Sequence, residues 1–222
     1  MSHRPAPTKV TPLAPDQAAA LARDGYLLLR GAVPEAWREA LRAAFDDGVG
    51  TGDQWAVPRG AGWRHALVDL DRIVQRTCRL APLLAAGAQM LAGQFFLSQV
   101  EGRGPLQGGG HQPLHRDGVG SRAVAALVFL DAYEPDNGAS RLVPRHLDQG
   151  EPDEAASLIT SGEAGDILVF DADLPHGATR NRSGARRRSL LLSFMPERMR
   201  ETQESCRAIR SVRMDTSEVF VP

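Results

Sequence analysis

The chain has 222 residues, with 26 lysines and arginines against 27 aspartates and glutamates. This balance gives no net electrostatic field that would favour nucleic acid or an anionic membrane. No apolar run approaches the roughly 20 residues that span a bilayer, and Cys78 and Cys206 are too few for a disulfide framework. We therefore expect one substantial soluble domain in a reducing cytoplasm.

The N-terminal part of the sequence predicts a flexible tail and then helices around one buried strand. The tail covers residues 1–12, which are rich in proline. Asp16 is predicted to cap a helix that runs to about Arg23 and stops at Gly25. The later elements predicted before residue 95 are a strand at 26–29, a helix with Pro34 in its first turn, a glycine-rich loop at 48–62 and a helix at 80–91.

The pattern changes at about residue 95 to short apolar runs separated by Gly, Pro, Asn and Asp. These runs are 95–97, 124–130, 142–143, 167–170 and 190–194. Short runs bounded by turn residues are typical of strands. The sequence therefore predicts a helical cap followed by an all-β sandwich or barrel, with glycine-rich residues 102–120 as a flexible loop at the mouth of a site.

Four polar side chains stand out in the β region. His115 and Asp117 are two residues apart, so on a strand both would project from the same face. His176 follows a later apolar run, which a barrel can fold back beside the first strand. Two imidazoles and one carboxylate are the ligand set of a facial triad on non-haem Fe(II), with open positions for oxygen and an oxo acid.

Arg187 is the fourth member of the set and is predicted to begin the next strand. Counting by two from it places Ser189 and two further residues on one face, with apolar residues on the other. A polar face inside and an apolar face under the N-terminal helices suit a barrel whose lumen holds a charged ligand. Arg187 could hold the far carboxylate of an oxo acid.

The chain resembles the phytanoyl-CoA dioxygenase family of Fe(II)- and 2-oxoglutarate-dependent oxygenases over most of its length. The order and spacing of several motifs carry the resemblance. They are Asp24-Gly25-Tyr26-Leu27-Leu28-Leu29-Arg30-Gly31, His115-Arg116-Asp117, the segment 130–139 continuing into Leu142-Val143-Pro144-Arg145-His146, His176-Gly177-Ala178-Thr179-Arg180-Asn181-Arg182-Ser183, and Arg187 eleven residues after His176.

The resemblance implies a fold, cofactors and residue roles. The fold would be a double-stranded β-helix, or jelly roll, in one domain at 13–222, divided into a mostly helical cap at 13–94, a core at 95–200 and an extension at 201–222. His115, Asp117 and His176 would be both the catalytic residues and the iron ligands, with 2-oxoglutarate and O2 as cosubstrates. Arg187 would bind the 2-oxoglutarate C5 carboxylate; Ser189 and Gln99 would line the cosubstrate or substrate site.

Departures from the family pattern concern the surroundings of the triad rather than its members. Pro144-Arg145-His146 is one residue shorter than the corresponding turn of many relatives, and Ala178 stands where several carry serine. Asp117 favours hydroxylation over halogenation, because an iron halogenase would be expected to carry a small residue there.

Several other residues have an alternative interpretation. His111 could be a ligand only if its segment were helical, which the neighbouring glycines and Pro113 disfavour. The arginine run 180–188 fits a solvated turn better than a nucleic-acid surface, since it lacks aromatic residues for stacking. Four residues could contact substrate or serve only structure, namely Trp55, Trp63, Arg122 and Arg141.

The predicted function is hydroxylation of a small molecule with release of succinate and CO2, without nucleic acid or membrane as partner. Two alternatives stay open. One is a vestigial or cupin-like binding protein without turnover, and the other is an oxygenase that catalyses desaturation, cyclisation or epimerisation. The sequence does not specify the substrate or a CoA thioester pocket.

Overall fold

The computed structural model describes residues 6–50, 55, 60–117, 120 and 122–222. Within them the helices are α1 Pro15–Asp24, α2 Glu35–Gly48, α3 Arg72–Thr77, α4 Ala81–Leu91 and α5 Arg200–Ser205. The strands are β1 Thr8–Lys9, β2 Tyr26–Leu29, β3 Trp63–Ala66, β4 Phe95–Pro105, β5 Gln112–His115, β6 Val124–Phe129, β7 Ser140–Leu142, β8 Leu158–Ile159, β9 Ile167–Asp171, β10 His176–Ala178, β11 Ser189–Pro196 and β12 Phe220–Val221. None of the helices in these ranges is long and apolar enough to cross a membrane.

The strands form a large and a small sheet that enclose a lumen. The large sheet has eight strands, in the order β1-β12-β4-β11-β6-β9-β2 with β3 also paired to β4, and the small sheet has the order β5-β10-β7-β8. Neighbouring strands are antiparallel, apart from the parallel pair β1 and β12. The predicted mainly β, double-sheet jelly-roll core is confirmed.

The N-terminal helices pack on the outer face of the large sheet, as predicted. Strand β11 shows why, since alternate residues of a strand face opposite sides. Leu190, Leu192 and Phe194 are fully buried in the same apolar core as helix residues such as Leu41 and Leu83. Burying each such side chain contributes roughly 1.5–3 kcal/mol. This apolar core fixes the large sheet and leaves the inner face of β11 free for polar groups.

Two glycines occupy positions where the backbone conformation or the close packing requires this residue. Gly25 ends α1 in the left-handed conformation, with φ of 75°, and its N–H donates to Leu21 O. Gly102 lies inside β4, where an added Cβ would come within 2.7 Å of the Phe45 ring. The close packing of α2 on β4 therefore requires glycine at position 102.

Three predictions of local structure need correction. Asp16 does not cap α1; the N-cap is Ala14, and no side chain bonds the free N–H groups there. Thr8 and Lys9, inside the predicted flexible tail, pair with the C-terminal strand β12; residues 1–5 of that tail lie outside the described residues. Such pairing between chain ends leaves no local signal.

The predicted loop at 102–120 is also wrong in part. Its first residues continue β4 as far as Pro105, and β5 occupies Gln112–His115. Gly102 within β4 misled the prediction, because it serves close packing rather than freedom of the backbone. Residues 51–54 and 56–59 of the predicted loop at 48–62, with residues 118, 119 and 121, lie outside the described residues.

Candidate metal centre and cosubstrate cavity

The structure brings His115, Asp117 and His176 together at one end of the small sheet. His115 is the last residue of β5, and His176, the first of β10, is its direct antiparallel partner. Asp117 lies just beyond β5, where its N–H donates to Ala172 O at 2.9 Å. The spacing argument was therefore right that the side chains converge, although Asp117 is not itself on the strand.

The three side chains have the geometry of a metal site. Their ligand atoms all lie within 4.8 Å of one another, and among the described residues they form the group that could hold a metal ion. The His115 and His176 Nε2 atoms lie 3.6 and 3.5 Å from the Asp117 carboxylate oxygens. These distances leave room for one ion between three converging donors.

Backbone carbonyls orient both imidazole rings. His115 Nδ1 lies 2.9 Å from Pro113 O, and His176 Nδ1 lies 2.9 Å from Leu174 O. A carbonyl only accepts, so each Nδ1 carries the proton and each Nε2 presents its lone pair to the site. The close approach of His176, whose Nε2 lies 3.5 Å from the carboxylate, is the main reason that the pKa of Asp117 lies below its ordinary value. The Asp117 carboxylate is therefore in the ionised form that binds a cation.

Arg187 lies in the same cavity as the two histidines. Its side chain is buried, and burial lowers the pKa of its guanidinium. Nη1 donates to the Tyr133 hydroxyl, the guanidinium lies 4.5 Å from the Tyr133 ring centroid, and the Trp63 ring centroid is 5.4 Å away. Among the described residues Arg187 has no carboxylate partner, and its buried Nε has no hydrogen-bond partner.

The cavity is lined by apolar and polar residues in equal number. The residues that line it come from both sheets and are Trp63, Arg103, Gln112, His115, Leu127, Ser140, Arg141, Leu142, Leu168, Phe170, His176, Gly177, Ala178, Arg187, Ser189 and Leu191. The predicted polar face of β11 is thus correct for Arg187 and Ser189, although β11 begins at Ser189. The Ser189 hydroxyl donates to Arg103 O at 3.2 Å, which leaves its oxygen lone pairs as acceptors.

Among the predicted site residues, Asp117 belongs to the triad but does not line this cavity, and Gln99 belongs to neither. Gln99 pairs with Ser193 and stands two alternations from Arg103 along β4. Its side-chain oxygen accepts from Arg210 at 3.2 Å. A shift of register in the β4–β11 ladder next to Ser193 separates this position from the regular part of the strand.

The residues with alternative interpretations divide between the cavity and its surroundings. Trp63 lines the cavity, whereas the buried Trp55 packs its ring edge-on against His65. His111 is exposed and does not line the cavity. Arg122 is exposed with a positive φ of 54°. Arg141 forms an ion pair with Glu154 and lines both this cavity and a neighbouring cleft.

Sequence reasoning missed Tyr133 and Arg103 as members of the site. Tyr133 follows β6 in a turn, and its ring stacks on Phe129 with centroids 3.6 Å apart. Arg103 pairs with the buried Glu101 at 2.5 Å and faces the lumen beside Ser189. The run Glu101-Gly-Arg103 alternates polar residues with glycine inside an apolar strand, a signal that could have indicated a polar inner face.

Arg116 lies between two triad members in the sequence, and its side chain forms hydrogen bonds with two other segments of the chain. It donates to Asp148 at 2.7 Å, to Asp173 O at 2.5 Å and to Gly150 O at 2.9 Å. Arg116→Gln should loosen the Asp117 backbone and weaken Fe(II) binding about tenfold, near the lower end of the roughly 10–100-fold range for outer-shell changes. Anaerobic metal titration would measure this, with Arg116→Lys recovering part of the loss.

The matched control is Arg30→Gln, which removes a comparable ion pair to Asp166 in another part of the fold. If Arg116 has only a structural role, both variants will lower the melting temperature and neither will change the metal affinity.

Arg116 also lowers the pKa of Asp148. The stabilisation from this pair should therefore be present above the unfolded Asp pKa of about 3.9 and lost as pH falls through the lower folded value.

Comparison with known proteins identifies the family of this chain. A family model described as phytanoyl-CoA dioxygenase matches residues 21–189. The chain belongs to the phytanoyl-CoA dioxygenase family. The match includes the three triad residues and Arg187, and it confirms the resemblance seen in the motifs.

Two characterised relatives carry oxygenase names. The chain is 27% identical over 208 residues to dioxygenase cdmA of Talaromyces verruculosus, covering 79% of this chain and 70% of that enzyme. It is 26% identical over 175 residues to L-proline trans-4-hydroxylase of Streptomyces griseoviridis, covering 59% of this chain and 65% of that enzyme. The second alignment thus spans just under two thirds of the hydroxylase.

Solved structures share the fold at lower sequence identity. HygX from Streptomyces hygroscopicus with nickel and 2-oxoglutarate bound superposes with a TM-score of 0.70 and 17% identity, covering 83% of this chain and 88% of that one. The epimerase SnoN in complex with Fe3+, alpha ketoglutarate and nogalamycin RO gives a TM-score of 0.63 and 19% identity, covering 82% of each chain. Family membership and the two named relatives support an Fe(II)- and 2-oxoglutarate-dependent dioxygenase, and the solved structures show the shared fold.

Proposed function

We propose that this protein hydroxylates a small molecule, using Fe(II) held by His115, Asp117 and His176 and 2-oxoglutarate held by Arg187. One observation carries the proposal: two histidines of a metal-binding triad line the same cavity as a buried arginine that has no carboxylate partner among the described residues. A structural barrel gains little from burying such a cation, because the Tyr133 hydroxyl and ring offset only part of the desolvation cost.

The residues fit both groups chemically. Two oriented imidazole Nε2 atoms and an ionised carboxylate are a facial ligand set suited to Fe(II), leaving positions for other ligands. The Arg187 guanidinium can form a charge-assisted pair with a carboxylate. Its unpartnered Nε and the Tyr133 hydroxyl on Nη1 are available to orient that carboxylate. Ser189 and Arg103 would add polar contacts in the same part of the cavity.

Bound iron would supply oxygen activation, so that substrate R–H, O2 and 2-oxoglutarate give R–OH, succinate and CO2. The chain's own residues would orient the reactants and exclude water. Arg187 would set the direction of 2-oxoglutarate, pointing its keto-acid end to the triad. Leu127, Leu168 and Phe170 would keep the interior apolar, which strengthens the pair between Arg187 and the carboxylate.

The decisive experiment is product analysis with iron-loaded protein, 2-oxoglutarate and a pool of small metabolites. We expect substrate-dependent succinate release and a product heavier by one oxygen, labelled from 18O2. A product that has lost two hydrogens, or an isomer of the same mass, would replace hydroxylation by desaturation, cyclisation or epimerisation. A protein that binds iron and 2-oxoglutarate but releases no succinate with any pool would contradict the proposal and favour the binding-protein alternative.

A further inference from the structure

A second cavity, which we call the outer cleft, adjoins the cavity of the triad. Its lining residues are His111, Pro135, Asp136, Arg141, Thr179, Arg180 and Arg182. The outer cleft has a volume of about 500 Å³, against about 50 Å³ for the cavity of the triad. Since one water-sized group needs roughly 10–15 Å³ of such space, the inner cavity has room for a few groups. The outer cleft can hold a second organic molecule or part of one.

The outer cleft carries more positive than negative charge. Arg180 and Arg182 form no ion pair with any residue in the described ranges, and Asp136 is the one carboxylate that lines the cleft there. Arg180 donates to Gly108 O at 2.5 Å, which fixes the direction of its guanidinium. Guanidinium groups present planar donor forks that match phosphate and carboxylate oxygens. The cleft therefore selects for an anion.

Arg141 connects the outer cleft with the cavity of the triad, because it lines both. Its side chain is 12% exposed and pairs with the carboxylate of Glu154, which is 60% exposed. Nη2 also donates at 3.2 Å to the backbone oxygen of Gln112, three residues before His115. Its Nε is buried without a hydrogen-bond partner within the described residues. A ligand anion could displace the exposed Glu154 carboxylate from Arg141.

We propose that the outer cleft binds a small multivalent anion of the phosphate-ester class on Arg141, Arg180 and Arg182. Thr179 at the cleft is three residues beyond His176, which corresponds to about 10 Å along the chain at the usual rise of a strand. The anion is therefore outside the iron coordination sphere. It is either the charged arm of a substrate whose other end reaches the triad or a separate molecule bound beside the cosubstrate.

Binding can be tested on metal-free protein with inorganic pyrophosphate as the probe, using isothermal titration calorimetry. We expect saturable binding, weakened about tenfold or more by Arg180→Gln or Arg182→Gln, since each removes charge-assisted hydrogen bonds. Arg186→Gln is the matched control. It removes one positive charge from the same loop, but Arg186 pairs with Asp46 and does not line the outer cleft.

Two results would overturn this assignment. One is no saturable binding of pyrophosphate, and the other is an equal loss in Arg186→Gln, which would show attraction by net charge alone. A further variant tests Arg141: Glu154→Gln should strengthen pyrophosphate binding several-fold by removing the competing carboxylate. Unchanged or weaker binding in that variant would count against Arg141. These titrations involve no turnover, so they can fail or succeed independently of the proposed dioxygenase activity.

Kinetics on the iron-loaded protein distinguish the two sources of the anion. If the cleft holds a substrate arm, phosphate esters with an organic group will stimulate succinate release, and Arg182→Gln will raise their KM with little change in kcat. If the anion is a separate ligand, pyrophosphate alone will change the KM for 2-oxoglutarate, and Arg182→Gln will abolish that change.

Discussion

His115→Ala and His176→Ala are each expected to abolish substrate-dependent succinate formation. Each removes one of three proposed ligands, whose donor atoms lie within 4.8 Å of one another. Fe(II) affinity should fall by more than the roughly 100-fold that marks the upper end of outer-shell changes. Anaerobic metal titration and iron content after desalting would measure the loss, and succinate assays with excess iron would measure activity.

The matched control is His146→Ala, which removes an exposed histidine that contacts Asp24 at 3.0 Å on the protein surface. It should retain iron and activity. If a triad variant keeps full iron content and full activity, the ligand assignment is wrong. The melting temperature of the metal-free variants should stay close to that of the unmodified protein, because His115 and His176 bond only backbone carbonyls through Nδ1.

Arg187→Gln is expected to have the second largest effect, through cosubstrate binding. A hydrogen bond to a charged group contributes roughly 1.5–3 kcal/mol, so the Kd for 2-oxoglutarate should rise by about 10–150-fold. Iron binding should not change, since Arg187 is not a ligand. The spectral change on adding 2-oxoglutarate to the anaerobic Fe(II) protein would measure the Kd, and steady-state kinetics would show a raised KM.

Arg187→Lys and Arg186→Gln provide the comparisons for this prediction. Lysine keeps the charge but lacks the planar fork, so we expect an intermediate Kd. Arg186 is exposed and pairs with Asp46, so Arg186→Gln should bind 2-oxoglutarate normally. The role of Arg187 would be refuted if Arg187→Gln bound 2-oxoglutarate as tightly as the unmodified protein.

The sequence predicted the strands of the large sheet well because their signals are local. Runs such as 124–129 and 167–171 are apolar on both faces, which indicates strands buried under helices on one side and facing a closed lumen on the other. The short elements escaped prediction. Strands β1, β8 and β12 have two residues each, too few for any periodicity, and their pairing depends on distant parts of the chain.

The site residues likewise divide into those that the sequence predicted and those that it did not. The types and spacing of His115, Asp117, His176 and Arg187 were enough to predict a metal triad and a carboxylate-binding arginine, because the metal and the diacid restrict which side chains can serve. Tyr133 and Arg103 were not predicted. Their part in the cavity comes from a turn after β6 and from the inner face of β4, which only the assembled sheets bring beside Arg187.

The sequence by itself therefore determined the fold class and predicted the triad and the arginine as a candidate site, since hydrophobic patterning and the chemistry of ligands leave a direct record in residue type and spacing. The tertiary structure alone decided that β5 and β10 pair His115 with His176, that Gln99 lies away from the cavity, and that Arg141 lines both the cavity and the outer cleft. The physical reason is that strand register and side-chain direction are set by packing between residues far apart in the chain.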